Sequence, residues 1–573
     1  MLDISKRIRV QVEGQGEITL SPSEHVASGG EGHIWHKRGS GSGQAIKLWD
    51  DTARAALGRM EQRIQVLAAL RHPCIVVPEA LVRDSRGCIA GYVMPWVEGW
   101  ALPLAFTNDW RAANSFGNDD ALSITSHLRN ATIAVHAQGI IQGDANELNI
   151  IGVGRKPCYI DVDSWVPPGF TGDKVLPTVL DPRSAPFSKE ADWFTWAVVT
   201  FQLLVGIHPY RGTHPGFSRA DTEGRMRAGA SVFQPMVRLS PAVRPFSVVP
   251  PRLLEWYKSV FEGGLRSPPP DPMDSTSVVT SPVMKATQMT GRSGNLSVQH
   301  AYDCGLPSRV VGGNTLMLAD GSLVSLTDGR SRGRVNSSAA LSFMDDGTII
   351  SAWTEDGILM WSNLRGGVAS ASQSAGIACS AAWEAEGRIF ARVADGIQEM
   401  QPRILGSRVM LLPGQKWALS SASSFLGEGV GLYSALRAQY TILPFGASAV
   451  ALLRVRDLDG MRVLNGIRRG NVALLSLIDP TGTYRRATLV MNAGGMGVTV
   501  SLEDTDSGDL NTVVTETGLL VGFDNMGRLY IRQPITGASK VADAGDLSQG
   551  RLLAGGAGVF VWKDGSMSRV TLS

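Results

Sequence analysis

The sequence has few cysteines and no excess of charge of either sign. Five cysteines, at positions 74, 88, 158, 304 and 379, are scattered along 573 residues without metal-ligand spacing. Their odd number and spacing argue against a disulfide framework or a zinc site and favour reduced thiols in the cytoplasm. The 54 basic and 52 acidic side chains leave a formal net charge of only +2. Because binding to a polyanion needs an excess of positive charge, neither nucleic acid nor an acidic membrane surface is expected as a partner.

Long hydrophobic runs are also rare. Residues 1–7 lack the apolar core of a signal peptide, so no such leader is expected. The run Trp193–Tyr210 is nearly long enough to cross a bilayer, but it contains Gln202 and Gly206. We therefore interpret it as a buried helix rather than a membrane span.

Between residues 140 and 163 the sequence places polar residues at informative spacings. Asp144 and Asn149 have the spacing Asp-x-x-x-x-Asn, and Asp161 and Asp163 follow an apolar run that reads as a strand. This order is typical of a phosphoryl-transfer centre, in which one carboxylate orients and deprotonates an attacking hydroxyl while an amide and a second carboxylate hold magnesium. Alternation along an extended segment puts Asp161 and Asp163 on the same face, so either could be the metal ligand. A polar hairpin with surface acids is the simpler alternative for this stretch alone.

Four segments upstream could together bind a nucleotide. The glycine-containing run Ala27–Ile34 would let backbone amides approach phosphates, although a flexible turn explains it as well. The short strand that carries Lys47 could bring its amino group to the α- and β-phosphates. A helical period over residues 50–70 carries Glu61, which could pair with Lys47. The strand Gly91–Gly99 could present backbone groups to an adenine edge.

In this order the segments resemble a eukaryotic-type (Hanks-like) protein kinase domain of the bacterial or phage sort, over residues 20–270. The most specific match is the run from Asp192 to Tyr210, and Arg266 matches an arginine late in the C-lobe. The resemblance implies an α+β bilobal fold that uses ATP and Mg²⁺. The residues it implies are Lys47, Asp144 (the base) and Asn149 for catalysis, Asn149 and Asp161 for magnesium, and Ala27, Gly29, Gly30, Gly32, Ile34, Lys47, Met94 and Trp96 for ATP. It also implies an ion pair of Glu61 with Lys47, a possible pair of Asp181 with Arg266, and Asp192 as a buried anchor.

The sequence also departs from the kinase pattern. The two residues before Asp144 are not His-Arg, and Asn146 stands where Ser/Thr kinases have a lysine. Asp163 takes the place of the glycine in the motif Asp-Phe-Gly, and Arg63 rather than Glu61 falls at the usual helix position. Three hypotheses stay open: a Ser/Thr-type protein kinase, which is favoured; a nucleotide-binding pseudokinase or scaffold; and a small-molecule phosphotransferase.

The length of the chain implies two or more domains. We predict a kinase-like domain over residues 1–270, with the N-lobe to about residue 95 and the C-lobe from about 96, and a Pro-, Ser- and Thr-rich linker over 271–295. Residues 296–573 contain short β-prone runs separated by Asp-Gly or Glu-Gly turns. This pattern predicts an all-β domain, a β-propeller of about six or seven blades, with a pair of sandwiches as the alternative. Because the domain shows no metal cluster or nucleophile constellation, we expect it to dock a protein substrate or partner.

Overall fold

The structure, a computed structural model, describes residues 3–4, 6–28, 32–37, 43–50, 59–172, 175–273, 295–405, 408–419, 424–435, 438–445, 449–491, 497–510, 512–524 and 526–572. The predicted ATP contacts Gly29 and Gly30 lie outside these residues, as does most of the predicted linker. The described chain forms an α+β region up to Met273 and an all-β region from Asn295.

The first part of the chain forms an antiparallel sheet. Its strands are β1 (Ile8–Val12), β2 (Gly16–Leu20), β3 (His25–Ser28), β4 (Gly32–Lys37), β5 (Gln44–Trp49), β6 (Ala80–Arg83) and β7 (Ile89–Pro95). Within the described residues the sheet has seven strands in the order β2-β1-β6-β7-β5-β4-β3. Buried Val10 and Val12 alternate with accessible positions in β1, which is the period of a strand with one face on a core. The helix α1 (Met60–Ala68) covers the sheet and buries Met60 and Ile64 in one cluster with Trp49.

The rest of the α+β region is mainly helical. Its elements are β8 (Trp100–Ala101), α2 (Asn108–Ala113), α3 (Asn118–Ala137), β9 (Ile150–Val153), β10 (Lys156–Tyr159), α4 (Lys189–Val205), α5 (Thr222–Ala228) and α6 (Pro251–Phe261). The central helix is α4, in which every residue from Asp192 to Val205 is buried. It begins after Ser188, whose hydroxyl accepts a hydrogen bond from Ala191 N at 3.1 Å, and ends at Gly206, which adopts a left-handed φ of 86°. The buried helix predicted within Trp193–Tyr210 is confirmed, and no helix in the described part of the chain is both long and apolar enough to cross a membrane.

The all-β region is built from hairpin-connected strands. In chain order these are β11 (Leu296–Asp303), β12 (Pro307–Val311), β13 (Thr315–Leu318), β14 (Ser322–Ser325), β15 (Ser331–Arg334), β16 (Ala340–Phe343), β17 (Ile349–Glu355), β18 (Ile358–Arg365), β19 (Val368–Ala369), β20 (Gln373–Ala378), β21 (Ala381–Ala385), β22 (Arg388–Val393), β23 (Gly396–Leu405), β24 (Arg408–Ala418), β25 (Ser424–Leu426), β26 (Gly431–Ala435), β27 (Ala438–Phe445), β28 (Ala449–Arg454), β29 (Arg462–Arg469), β30 (Val472–Ile478), β31 (Tyr484–Met491), β32 (Val498–Asp504), β33 (Thr512–Val514), β34 (Leu520–Phe523), β35 (Arg528–Arg532), β36 (Ser539–Asp543), β37 (Arg551–Gly555), β38 (Gly558–Lys563) and β39 (Ser566–Leu572).

Among the described residues, these strands form seven antiparallel sheets. Six sheets use strands that are consecutive in the chain: β12–β15, β16–β20, β21–β24, β25–β28, β29–β32 and β33–β36. The remaining sheet joins β11 to the last three strands, in the order β11-β39-β38-β37. The predicted all-β class is confirmed.

Short turns of the predicted kind connect several of these strands. Glu386 and Gly387 both have positive φ, 51° and 70°, and Ala385 pairs with Arg388 across them. The turn at residues 564–565 has the same character, with φ of 50° and 88°. Two positive φ values define a type I′ turn, whose twist matches that of the strands it joins.

A hydrophobic cluster lies between each sheet and its neighbour. Leu316 of β13 shares a cluster with Phe560 of β38, and Phe523 of β34 shares another with Val561 of β38. Five further clusters join the sheets in between, in chain order. The sheet that contains β11 and β37–β39 therefore packs against both the sheet that follows β11 and the sheet that precedes β37.

The α+β and all-β regions share a packed interface. Leu464, Ile478 and Tyr484, from β29, β30 and β31, belong to the same hydrophobic cluster as α4. Arg219 donates to both carboxylate oxygens of Asp506, at 3.1 and 2.7 Å. The two regions are thus joined by apolar packing and by a bidentate ion pair.

One turn of the all-β region lies directly against the α+β region. Asp479 closes this turn by accepting hydrogen bonds from the backbone nitrogens of Thr481 and Thr483, at 2.9 and 3.0 Å. Within it, Gly482 has a φ of 81°, and a Cβ at this position would lie 2.5 Å from Thr178 Oγ1 and 2.9 Å from Leu176 Cδ2. Only glycine permits so close an approach.

Candidate active site

The candidate catalytic stretch is anchored on α4. Asp192 Oδ2 accepts hydrogen bonds from His136 Nε2 and from the backbone nitrogen of Gln142, both at 2.7 Å, and Oδ1 accepts from Gly143 N at 2.8 Å. A carboxylate that is removed from water needs such donors to remain charged. Asp192 therefore fixes the backbone of the two residues that precede Asp144.

Asp144 and Asn149 are held together within one loop. Asn149 Nδ2 donates to the backbone oxygen of Asp144 at 2.9 Å, and Asp144 Oδ1 accepts from Leu176 N at 2.9 Å. Asn146 Oδ1 accepts from Leu148 N at 2.8 Å and begins the 3-10 turn that ends at Asn149. A carboxylate and an amide are thus presented by the same short segment.

Lys47 lies between two carboxylates. It forms ion pairs with Asp161 and with Asp163, whose Oδ1 is 2.9 Å from the lysine Nζ. Asp163 also accepts hydrogen bonds from Trp49 Nε1 at 2.8 Å and from Tyr92 OH at 3.0 Å. The Asp163 side chain is 2% exposed and that of Asp161 is 35% exposed, so Asp161 is the acid that solvent and ligands can reach.

The surroundings of the two acids shift their ionisation in opposite directions. Burial opposes the charge of Asp163, but the charge of Lys47 and the hydrogen bonds from Lys47 and Trp49 outweigh burial and lower the pKa of Asp163 to about 2. Burial raises the pKa of Asp161 to about 7, while the charge of Lys47 acts the other way. Although burial opposes the charge of Lys47, both acids raise its pKa, so the lysine stays protonated.

The segment that carries the two acids is a turn. Asp161 adopts left-handed angles, with φ of 61° and ψ of 41°, and Val162–Ser164 forms a 3-10 turn. The prediction of an extended run with alternating faces is wrong. Asp161 and Asp163 nevertheless converge on Lys47, because the turn rather than strand alternation brings their side chains together.

The predicted partner of Lys47 on α1 is wrong. Glu61 lies on the half-exposed side of α1 and its Oε1 accepts from Arg83 at 2.8 Å. Arg63 occupies the buried side, where its Nε donates to Trp165 O at 2.9 Å and a terminal nitrogen donates to Ser164 O at 2.7 Å. Arg63 thus links α1 to the turn after Asp161. The carboxylates of Asp161 and Asp163, rather than that of Glu61, form the ion pairs with Lys47.

The predicted nucleotide contacts that the structure describes lie on adjacent strands. Ile34 of β4 is paired with Lys47 of β5, and Ile34, Met94 and Trp96 belong to one side-chain cluster. Trp96 also stacks on His36, with ring centroids 3.9 Å apart. Ile34, Met94 and Trp96 thus form one apolar cluster, and Ile34 lies next to Lys47 on the adjacent strand.

Two other predicted nucleotide contacts, Ala27 and Gly32, lie where β4 pairs with its neighbouring strands. Ala27 of β3 is paired with Ile34. A Cβ at Gly32 would lie 2.3 Å from the backbone oxygen of Leu48, so β4 approaches β5 closely only because residue 32 is glycine.

Asp181 and Arg266 form a bidentate ion pair. Arg266 Nε and a terminal nitrogen are 2.5 and 2.7 Å from the two carboxylate oxygens of Asp181. The guanidinium also lies over the ring of Phe194 of α4, 4.6 Å from its centroid. The pair joins the segment before α4 to the end of the α+β region.

Three residues around the lysine had no role assigned from the sequence. Trp49 and Tyr92 belong to apolar runs, in which nothing local marks a side chain as a donor to a distant acid. The sequence did contain a signal for Arg63, because it departs from the kinase pattern at two places. Arg63 stands where kinases have a glutamate on the helix, and Asp163 stands where they have the glycine of Asp-Phe-Gly.

The chain is similar to serine/threonine protein kinases over about a third of its length. No protein-family model matches it. Serine/threonine-protein kinase PkaB of Streptomyces coelicolor is 27% identical over 212 residues, which cover 33% of this chain and 49% of PkaB. The probable serine/threonine-protein kinase drkD of Dictyostelium discoideum is 25% identical over 220 residues, which cover 36% of this chain and 17% of drkD.

Among solved structures, a point mutant of the kinase domain of Mycobacterium tuberculosis PknI is 18% identical, with 36% of this chain and 79% of that chain covered and a TM-score of 0.27. The chain spans about half the length of PkaB and about a sixth of drkD. The two sequence relatives support a protein-kinase-like region within the chain.

Proposed function

We propose that the α+β region is an ATP- and Mg²⁺-dependent phosphotransferase of the Ser/Thr protein kinase type. One chain of interactions carries the proposal. Asn149 Nδ2 donates to Asp144 O, Asn149 O accepts from Ile160 N at 2.9 Å, and Asp161, the next residue, pairs with Lys47. The candidate base, metal ligands and phosphate ligand are thereby linked in one unit, as phosphoryl transfer requires.

The donor atoms fit magnesium. Mg²⁺ prefers oxygen and usually takes one or two protein ligands together with phosphate oxygens of the nucleotide. Asp161 offers an accessible carboxylate, and the amide nitrogen of Asn149 is already used by Asp144, which leaves the amide oxygen for a cation. An ion held there would neutralise negative charge on the phosphates.

The remaining roles follow from the positions of the side chains. The bond from Leu176 N occupies one oxygen of Asp144, so the other oxygen can accept the proton of the attacking hydroxyl. Lys47 would contact the phosphates. The nucleotide would be bound by Ala27, Gly32, Ile34, Met94 and Trp96, together with Gly29 and Gly30, which the kinase resemblance implies and which lie outside the described residues.

Nucleotide binding without transfer is a second candidate function. It is favoured by the two carboxylates that already pair with Lys47 and compete with a phosphate for its charge. A small-molecule acceptor is also compatible with the site, because Asn146 replaces the lysine that is typical of Ser/Thr kinases.

Asp144→Asn in the full chain tests the proposed function. With Mg²⁺ and γ-labelled ATP, we expect the unaltered protein to label itself or a protein of a cell lysate, and the variant to lose at least about 99% of this transfer, because the base is removed. ATP affinity measured by calorimetry should change less than about threefold, because the base touches the acceptor hydroxyl and not the nucleotide. ATP binding by the unaltered protein without any transfer would establish the second candidate, and transfer to sugars or other small alcohols would replace the protein acceptor.

We further propose that residues 296–573 fold as a seven-bladed β-propeller that docks a protein substrate or partner. Seven sheets of at least four strands, a cluster between each sheet and its neighbour, and a sheet shared by β11 and β37–β39 support a closed ring. The domain limits 1–270, 271–295 and 296–573 belong to this proposal. All five cysteines are free, which supports a cytoplasmic location.

A further inference from the structure

We propose that Asp163 is a positioning residue that does for Lys47 what a helix glutamate does in protein kinases, and that Arg63 ties α1 to the turn carrying Asp163. The inference rests on the proposed function, in which Lys47 contacts the phosphates. In protein kinases the corresponding lysine must pair with a glutamate of the helix that packs on the sheet. In this chain the helix carries Arg63, and the carboxylate that pairs with the lysine is Asp163 in the turn.

The surroundings of Asp163 are those of a fixed partner of the lysine rather than of a metal ligand. Its carboxylate accepts from Lys47 at 2.9 Å, from Trp49 at 2.8 Å and from Tyr92 at 3.0 Å. A carboxylate has about four acceptor positions, and three are taken by donors from β5 and β7. The Asp163 side chain is 2% exposed and its bonds all go to protein donors, whereas Asp161, two residues earlier, is 35% exposed.

The surroundings of Arg63 complete the exchange. The side chain is buried and donates to the backbone oxygens of Ser164 and Trp165. A glutamate at this position would set a carboxylate against two carbonyl oxygens. Arg63 therefore suits a turn that already supplies Lys47 with a carboxylate, Asp163.

Because the partner of Lys47 lies in the turn and not on α1, a movement of α1 has a different effect from that in the usual arrangement. In the usual arrangement the lysine loses its partner when the helix swings away. Here Lys47 keeps Asp163, because both ends of that pair belong to the sheet and the turn. Displacement of α1 would instead break the bonds from Arg63 to the backbone oxygens of Ser164 and Trp165, and it would leave Asp163 bonded to Lys47, Trp49 and Tyr92.

A four-variant cycle in the full chain tests this inference. Its members are the unaltered protein, Asp163→Gly, Arg63→Glu and the double variant, which moves the carboxylate from the turn to the helix. We expect each single change to lower kcat/KM for ATP at least tenfold. The double variant should return to within tenfold of the unaltered protein, because in the usual kinase arrangement a carboxylate of this helix pairs with the lysine. A loss in the double variant equal to the product of the two single losses would show two independent structural residues and overturn the exchange.

The magnesium requirement separates Asp163 from a metal ligand. Asp163→Asn keeps the shape of the side chain and removes its charge, so it also replaces Asp163→Gly in the cycle if the glycine variant does not fold. We expect the Mg²⁺ concentration for half-maximal rate to stay within about threefold for Asp163→Asn and to rise at least tenfold for Asp161→Asn. A tenfold rise for Asp163→Asn would make it a metal ligand and overturn the assignment.

The same cycle can be measured without transfer. ATP affinity by calorimetry and the melting temperature should show the same recovery in the double variant. If the unaltered protein binds ATP and transfers no phosphate, the proposed function fails. The ATP affinities of the four variants would still show whether Asp163 takes the role of the helix glutamate.

Discussion

At the scale of single residues, Asp161 and Asp163 show how surroundings separate two identical side chains. Both contact Lys47, yet one is accessible with a raised pKa and the other is enclosed with a lowered pKa. The spacing of Asp144, Asn149 and Asp161 could be read from the sequence because it is local. The role of Asp163 could not, because its donors Trp49 and Tyr92 lie 114 and 71 residues away along the chain.

Asp509 gives a residue-scale prediction of pH dependence. It is buried at the interface of the two regions, where its Oδ1 accepts from Asn108 N at 2.6 Å and its Oδ2 has no partner among the described residues. Burial, and then the charge of Asp109, raise the pKa of Asp509 from 3.8 to about 7, while Arg244 opposes the shift. Arg111 faces the same carboxylate.

The sign of the effect follows from proton binding. Between about pH 4 and 7 the folded state keeps the Asp509 proton and the unfolded state does not, so stability falls as pH rises through this window. The loss continues as pH rises through 7 and is complete roughly one pH unit above it. Asp509→Asn keeps the acceptor for Asn108 and removes the charge, so the variant should melt several degrees above the unaltered protein at pH 8 and close to it at pH 5. Melting curves from pH 5 to 8 measure this, with the exposed Asp546→Asn as a control that should not move. A variant less stable than the unaltered protein at pH 8 would contradict the account.

At the scale of elements, patterns within one element were predictable and pairings between distant elements were not. The apolar run that forms α4 was recognisable because burial on all sides needs a continuous apolar helix, and Gly206 ends it. The hairpin turns were recognisable because Asp-Gly and Glu-Gly pairs recur in them, and glycine adopts the positive φ that such turns need. The pairing of β11 with β39 has no local signal, because it joins strands from opposite ends of the all-β region.

A disulfide between β11 and β39 tests this pairing. Val298 and Val570 are direct neighbours across the two strands, and directly opposed residues have Cβ atoms about 4.5–5.5 Å apart. Val298→Cys with Val570→Cys should therefore form an intramolecular bond on oxidation and raise the free energy of unfolding by about 2–4 kcal/mol. The measurement is thermal unfolding with and without a reductant, with Val298→Cys alone as the control. Failure of the two cysteines to bond in the folded protein would exclude this register and with it the closed ring.

At the scale of the whole molecule, the contact between the two regions is the feature that the sequence did not predict. The sequence predicts two domains joined by a Pro-, Ser- and Thr-rich linker and carries no signal of a shared core, yet Leu464, Ile478 and Tyr484 belong to the core around α4. Alternation of apolar and polar residues predicts which face of a strand is buried, but it does not predict which part of the protein that face packs against.

Charge exchange across the interface tests whether the two regions unfold together. Arg219→Asp sets a carboxylate against the buried Asp506 and should split thermal unfolding into two transitions, because the bidentate pair is replaced by two like charges that repel each other. Adding Asp506→Arg should restore one transition by rebuilding the pair in reverse. Arg227→Asp, on an exposed helix surface, is the matched control and should leave one transition. A single transition in Arg219→Asp, unchanged in temperature, would mean that the contact contributes nothing to stability.

The approach of Gly482 to Leu176 and Thr178 has a consequence for how this chain can change over time. The backbone nitrogen of Leu176 also donates a hydrogen bond to Asp144. Leu176 therefore contacts both the turn around Gly482 and the candidate base. A recombination event that exchanged the all-β region for another domain would remove that support and uncover the apolar side chains around α4. The two regions are therefore expected to be inherited as a unit, with substitutions in residues 176–178 matched by substitutions in residues 479–484.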